Sequence, residues 1–148
     1  MKKSFQLLAG LFLMATAVMT ACSSGNDGVL RYVDPKIGTG GHGHVFVGAN
    51  VPFGLVQVGP TSIPQEWDWC SGYHDSENSV IGFSHTHLSG TGCGDLFDVT
   101  LMPVTGEVTY GRGRLGDYST GFWSEADRSQ EVVEPGYYSV PLTRYNIL

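Results

Sequence analysis

Hydrophobic positions along this chain come in short runs broken by Gly, Pro and Asp, with little of the i, i+3, i+4 spacing that marks an amphipathic helix. The runs Val45–Val47, Leu55–Val58, Val80–Phe83, Val99–Val104, Glu107–Tyr110 and Tyr137–Leu142 are β-branched or aromatic and read as strands. Glu134-Pro135-Gly136-Tyr137 places Pro and then Gly where a type II turn needs them. Only Ser124-Glu125-Ala126-Asp127 reads as a helix start, with a capping box over one turn. Many short strands joined by Gly-rich turns predict an all-β fold, a sandwich or a barrel. Ser139–Leu148 looks like a strand and its continuation that stops in apolar residues, so the domain is expected to be incomplete there.

The first residues follow a different pattern. Lys2 and Lys3 precede an apolar stretch, Leu7 to Val18, which is too short to span a bilayer and has the length of a secretory signal core. Met19-Thr20-Ala21-Cys22 resembles a bacterial lipobox, with Met19 where Leu is usual. Residues 1–21 are therefore read as a lipoprotein signal peptide, Cys22 as the lipidated residue, 22–30 as a polar tether and 31–148 as the folded domain. Two acyl chains are needed for this anchor to hold, since one lipid gives marginal binding. The expected location is the bacterial envelope, periplasmic or on the outer-membrane surface.

Composition narrows the partners. With 14 Asp+Glu against 8 Lys+Arg and a net charge of −6, the chain has no basic footprint for a phosphate backbone, which excludes nucleic acid. Charged residues make up 15% of the chain, below the usual share of roughly 25%, and Gly is abundant at 21 of 148. At 41% hydrophobic the chain can bury a core. Beyond Cys22 the cysteines are Cys70 and Cys93, read either as one disulfide in an oxidising compartment or as two thiols near a site.

Three segments carry chemistry. Gly38-Thr39-Gly40-Gly41-His42-Gly43-His44 is rich in glycine but is followed by a strand-like run and lacks the Lys-Ser/Thr of a Walker loop, so a backbone loop at positive φ is the better reading than a phosphate cradle. In Trp67-Asp68-Trp69-Cys70-Ser71-Gly72-Tyr73-His74, an extended backbone would put Trp67 and Trp69 on one side. Flat indoles there would stack on the apolar face of a sugar, with Asp68 and His74 bonding hydroxyls; the plainer alternative is that one or both indoles are core. In Gly82-Phe83-Ser84-His85-Thr86-His87-Leu88-Ser89-Gly90-Thr91-Gly92-Cys93-Gly94-Asp95, His85 and His87 would point one way on a strand, as would His42 and His44. Zinc hydrolases use such pairs, but no third ligand is evident, so no metal site is assigned; substrate contacts and satisfied structural histidines remain the two readings.

Together, Val33–Gly40, Val51–Pro60, Ser71–His74, Gly82–Gly92 and Pro135–Val140 resemble the N-terminal domain of glycoside hydrolase family 92, a family of calcium-dependent exo-acting α-mannosidases. The resemblance runs from about Tyr32 to Leu148 and implies a β-sandwich of the supersandwich kind, followed in the family by an (α/α)₆ barrel absent from this chain. It implies an inverting reaction with a Glu general acid and a carboxylate base, roughly 6.5–9.5 Å apart. Calcium would bind the mannose hydroxyls at C2 and C3. Acid, base and most calcium ligands belong to the barrel, so no catalytic residue is assigned here. Trp67, Trp69, His85 and His87 are the substrate-binding candidates, with Asp68, Tyr73 and His74 weaker ones and Asp95 as a brace.

The expected function is the sugar-contacting domain of a lipoprotein α-mannosidase acting on terminal α-mannose of N-glycans or mannans. Its expected partners are α-mannoside glycans, the membrane through the lipid, and the barrel of the same chain. The competing reading is a free-standing, surface-tethered carbohydrate-binding lipoprotein without catalytic activity.

Overall fold

The computed structural model describes residues 28–50, 54–94, 97–108, 110–111, 117 and 120–148. The signal peptide, Cys22 and Asp95 lie outside the described residues. Among these residues no helix is long and apolar enough to cross a membrane. The chain divides into two units, Met1–Tyr32 and Val33–Leu148. The described end of the first is a 3₁₀ turn, Val29–Tyr32, in which the Arg31 guanidinium lies 4.8 Å above the Tyr32 ring and donates to its hydroxyl at 2.7 Å.

The second unit is all-β, with antiparallel pairing throughout. Its strands are β1 (Gly59–Thr61), β2 (Ser79–Val80), β3 (Gly82–Ser84), β4 (Thr100–Leu101), β5 (Ser124–Glu125), β6 (Val132–Glu134) and β7 (Tyr137–Ser139). They form a sheet in the order β1-β3-β4 and two ribbons, β2-β5 and β6-β7. All three meet at one apolar cluster. Val80, Ala126, Val140 and Leu142 are its buried residues, and Phe83, Met102, Tyr138 and Ile147 pack on them. Leu142 bridges both Ala126 and Ile147, which ties the last segment to β5.

The β6-β7 hairpin is the one the sequence predicts. Glu134 pairs with Tyr137 across Pro135-Gly136, and Gly136 takes φ 80°, as a type II turn demands at that position. The run Val80–Phe83 becomes β2 and β3, split at Ile81. Other expectations fail for local reasons. Ser124–Glu125 is a strand, not a helix start; the cap sits at Asp127, whose carboxylate accepts from the Ser129 amide at 3.1 Å and opens the 3₁₀ turn Arg128–Gln130. Val45–Val47 and Leu55–Val58 are not strands, and a single bridge, Ala49 to Val58, joins those regions. Glu107–Tyr110 shows no strand among its described residues.

The reason for the single bridge is a crossing of two backbones. A Cβ on Gly48 would sit 2.3 Å from the Val58 carbonyl oxygen, and one on Gly59 would sit 2.0 Å from that of Val47. Only hydrogen fits at either position. Gly59→Ala is therefore expected to destabilise the domain by about 2–3 kcal/mol, while Gly94→Ala, which meets nothing within 4 Å, stays near wild type. Urea-denaturation midpoints check both.

Candidate functional site

The Gly38–His44 loop is wound tightly: Thr39 N–H donates to Lys36, Gly43 N–H to Gly40, and Val45 N–H to Gly38. Gly38 has φ 84°, and a Cβ on Gly43 would fall 2.0 Å from the Gly38 oxygen. This winding carries His42 and His44 to Asp68, on the 3₁₀ turn Trp67–Trp69. His42 Nδ1 lies 2.6 Å from Asp68 Oδ1. Because an ionised carboxylate only accepts, the proton sits on Nδ1. The hydrogen bond from His42 holds the Asp68 carboxyl below the usual carboxylate range, against a smaller opposing effect of burial. His42→Ala is expected to return the Asp68 pKa toward the ordinary value, which carboxyl-carbon NMR titration measures; an unmoved pKa would show that the bond does not form in solution.

Trp67 stands over this pair. Its ring meets His44 edge-on at 4.2 Å and His42 at 5.5 Å, and its Nε1–H donates to the Gly92 carbonyl at 2.5 Å. Trp67 nevertheless remains 56% exposed. Trp69 turns inward and stacks on His74 at 4.4 Å. A cleft of about 300 Å³ opens beside the two indoles, with Cys70, Gly72, Cys93 and Phe97 also on its walls. Three buried polar atoms at or beside it have no hydrogen-bond partner among the described residues: His44 Nε2, Ser62 Oγ and Trp69 Nε1. His44 Nε2 is 3.4 Å from Asp68 Oδ1, an electrostatic contact without a hydrogen bond.

The predicted site residues separate in space. Trp67, Asp68, Trp69 and His74 come together. His74 hydrogen-bonds Ser76 at 2.8 Å and the Gly41 carbonyl at 3.3 Å, bracing the glycine loop. His85 and His87 do not share a face. His85 lines an apolar groove with Val58, Phe83, Val99, Leu101 and Met102. His87 is buried behind the cleft, stacked on Phe46 at 5.1 Å and edge-on to Phe97 at 5.3 Å. Its Nδ1 faces the Gln57 carbonyl at 2.7 Å, and its Nε2 faces Thr61 Oγ1 at 3.3 Å, at the head of a buried hydroxyl chain through Ser84 to Thr100. The two tryptophans border the same cleft but differ in exposure, because a 3₁₀ turn does not place alternate residues alike as a strand does. His42, His44 and the Gly92 carbonyl join the site without having been singled out for it; the His-x-His spacing was their one sequence signal.

Tyr73 is fully buried in an ion network that supports the loops. Its hydroxyl donates to Glu131 at 3.2 Å, Tyr138 donates to the same carboxylate at 2.7 Å, and Arg128 pairs with it directly. Lys36 bridges Glu131 at 3.0 Å and Asp75 at 3.1 Å. Burial pushes the Tyr73 phenol up to about 12. Burial would also raise Glu131, but the hydrogen bonds from Tyr138 and Lys36 and the charge of Arg128 outweigh it and hold the carboxyl low.

Among the described residues no three His, Cys, Asp or Glu side chains converge to hold a metal ion. Cys70 is buried and Cys93 exposed, and both are free thiols.

Comparison with known proteins agrees with this architecture. The sequence model of the glycosyl hydrolase family 92 N-terminal domain matches residues 32–148. A family GH92 α-mannosidase from Bacteroides thetaiotaomicron, solved in complex with mannoimidazole, is 40% identical, with a TM-score of 0.74 over 79% of this chain and 15% of its own. A second solved glycosyl hydrolase of the family is 30% identical, with a TM-score of 0.60 over 76% of this chain and 14% of its own. A protein of Arthroderma benhamiae described as an uncharacterized secreted glycosidase is 35% identical over 77% of this chain and 14% of its length. The chain thus spans about one seventh of the relatives it matches.

Proposed function

We propose, from the premise that this chain belongs to glycosyl hydrolase family 92 as its N-terminal domain, that it forms the sugar-facing wall of an exo-α-mannosidase pocket. The observation that supports this best is the half-exposed Trp67 indole, which borders the cleft and packs against His42 of the His42–Asp68 pair. A pyranose has an apolar C–H face that packs on an indole and hydroxyls that donate to a carboxylate. Trp67 would take the face and Asp68 the hydroxyls, with His42 keeping that carboxylate ionised and aimed. The acid and base of an inverting hydrolysis, roughly 6.5–9.5 Å apart, would come from a further domain, as would the calcium ligands. We read the natural substrates as terminal α-mannosides of N-glycans or mannans, and the natural setting as a bacterial envelope lipoprotein anchored at Cys22.

The test is a titration of the purified chain with mannose, α-1,2-mannobiose and mannoimidazole, followed by tryptophan fluorescence and by NMR of the indole N–H groups. Weak binding, with Kd on the order of 1 mM, that shifts the Trp67 resonance is the expected result for half a pocket. An unperturbed Trp67 at saturating sugar would overturn the reading. The chain alone is also expected to release no mannose from α-1,2-mannobiose in the presence of calcium, followed by a reducing-sugar assay; release would place a catalytic carboxylate pair inside it.

A further inference from the structure

We infer that Cys70 and Cys93 are a thiol pair that closes into a disulfide across the cleft, so that the chain carries a covalent latch on its own pocket. The two side chains are 23 residues apart in sequence and line the same cavity. Both border one half-open cleft of about 300 Å³, and a disulfide needs Cα atoms within roughly 7 Å, so closure brings the two walls together at these residues.

The wall that moves is the Gly90–Gly94 segment. Three of its positions favour this: Gly90 and Gly92 occupy positive φ, and Gly90 and Gly94 have nothing within 4 Å of where a Cβ would stand. The Gly90 amide donates to the His44 carbonyl at 2.7 Å and Trp67 Nε1 to the Gly92 carbonyl, both contacts to the opposite side of the cleft. The opposite wall is firm. Cys70 N–H closes the Trp67–Trp69 turn at 3.1 Å, and the neighbouring Ser71 Oγ is buried on the His44 carbonyl at 2.7 Å. Cys93 on the glycine-rich wall is exposed and Cys70 on the opposite wall is buried, which sets the order of events.

With a disulfide of the glutathione class as oxidant, the Cys93 thiolate attacks one sulfur and expels one glutathione thiolate. The Cys70 thiolate then attacks the Cys93 sulfur of that mixed disulfide and expels the second. Two thiol protons pass to the two departing thiolates, so two protein thiols and one oxidised glutathione become one protein disulfide and two reduced glutathiones. The new bond draws Cys93 toward Cys70 and narrows the cavity between Trp67 and Trp69. This inference stands on the walls of the cleft and not on what the cleft binds.

The full chain is incubated with oxidised glutathione, alkylated under denaturing conditions and digested with a Glu-specific protease, which cuts at Glu77 between the two cysteines. The expected product is the peptide 67–77 joined to 78–107, with neither cysteine alkylated, formed at a rate independent of protein concentration, and with tryptophan emission lowered by the adjacent disulfide. Cys93→Ser removes the joined peptide and the emission change, and leaves Cys70 alkylated in full. Glutathione remaining on Cys93, a link from either cysteine to Cys22, or a link between chains would each overturn the pairing.

Discussion

Replacing Glu131 with Ala is expected to cost about 3–5 kcal/mol of folding stability, the range seen when one partner of a buried ion pair is removed. The Glu131 side chain is 2% exposed and receives Tyr73, Tyr138, Lys36 and Arg128. Without it, two cations and two phenols lose their shared acceptor. Arg128 is already short of one partner, at Nε, and keeps its donations to the Glu77 carbonyl at 2.6 Å and the Tyr138 hydroxyl at 3.4 Å and its place over the Tyr73 ring, none of them an anion. Glu131→Gln should be milder in size but diagnostic in pH. The folded-state carboxyl is held below its ordinary value of 4.5, so its contribution is present above that pH and is lost as pH falls through the folded value. Lys36 runs the other way: raised from 10.5, its contribution is complete below that pH and fades only under strongly alkaline conditions. Wild type should therefore lose stability on acidification below about pH 4.5 more steeply than the Gln variant, as read by urea midpoints from pH 3 to 7. Parallel slopes would show that Glu131 does not carry the acid response.

The second large effect concerns the indoles. When the chain is joined to the remainder of a family 92 α-mannosidase, Trp67→Ala plus Trp69→Ala is expected to lower kcat/KM by at least about a hundredfold, equivalent to roughly 2.8 kcal/mol. The single variants should divide the effect unequally. Trp67 is the exposed ring, so Trp67→Ala should raise KM, and Trp67→Phe should recover part of the loss. Trp69 is stacked on His74, which reaches the glycine loop, so Trp69→Ala should lower thermal stability as well as activity. An unchanged kcat/KM in the double variant would remove both rings from the pocket.

What the sequence revealed was whatever depends on neighbours in the chain. Pro135-Gly136 specifies its turn because φ at those two positions is a local matter, and the apolar character of Val80 and Phe83 follows from the core they enter. What escaped depends on distant groups. Val45–Val47 has strand composition, but the Gly48–Gly59 crossing pins its backbone before a ladder can form. Trp67 and Trp69 would alternate only on extended backbone, and the hydrogen bonds from Trp69 N–H to Glu66 and from Cys70 N–H to Trp67 wind them instead. The His42–Asp68 bond joins residues 26 apart, and nothing in either segment announces the other. Tyr73 sits in a promising motif, yet its partner Glu131 lies 58 residues on.

The bond between Lys36 and Glu131 spans 95 residues and fastens the segment that leads into the glycine loop to the turn before β6. On a ribosome adding roughly 5–20 residues per second, Lys36 waits on the order of 5–20 s for its partner to be made. During that interval the histidine loop has Asp68 and His74 to hold it, but the Lys36 segment that leads into it lacks its buried partner. Full support of the loop therefore waits for Glu131, and slowing translation before Glu131 should lengthen the exposure of the Lys36 segment more than slowing it afterwards.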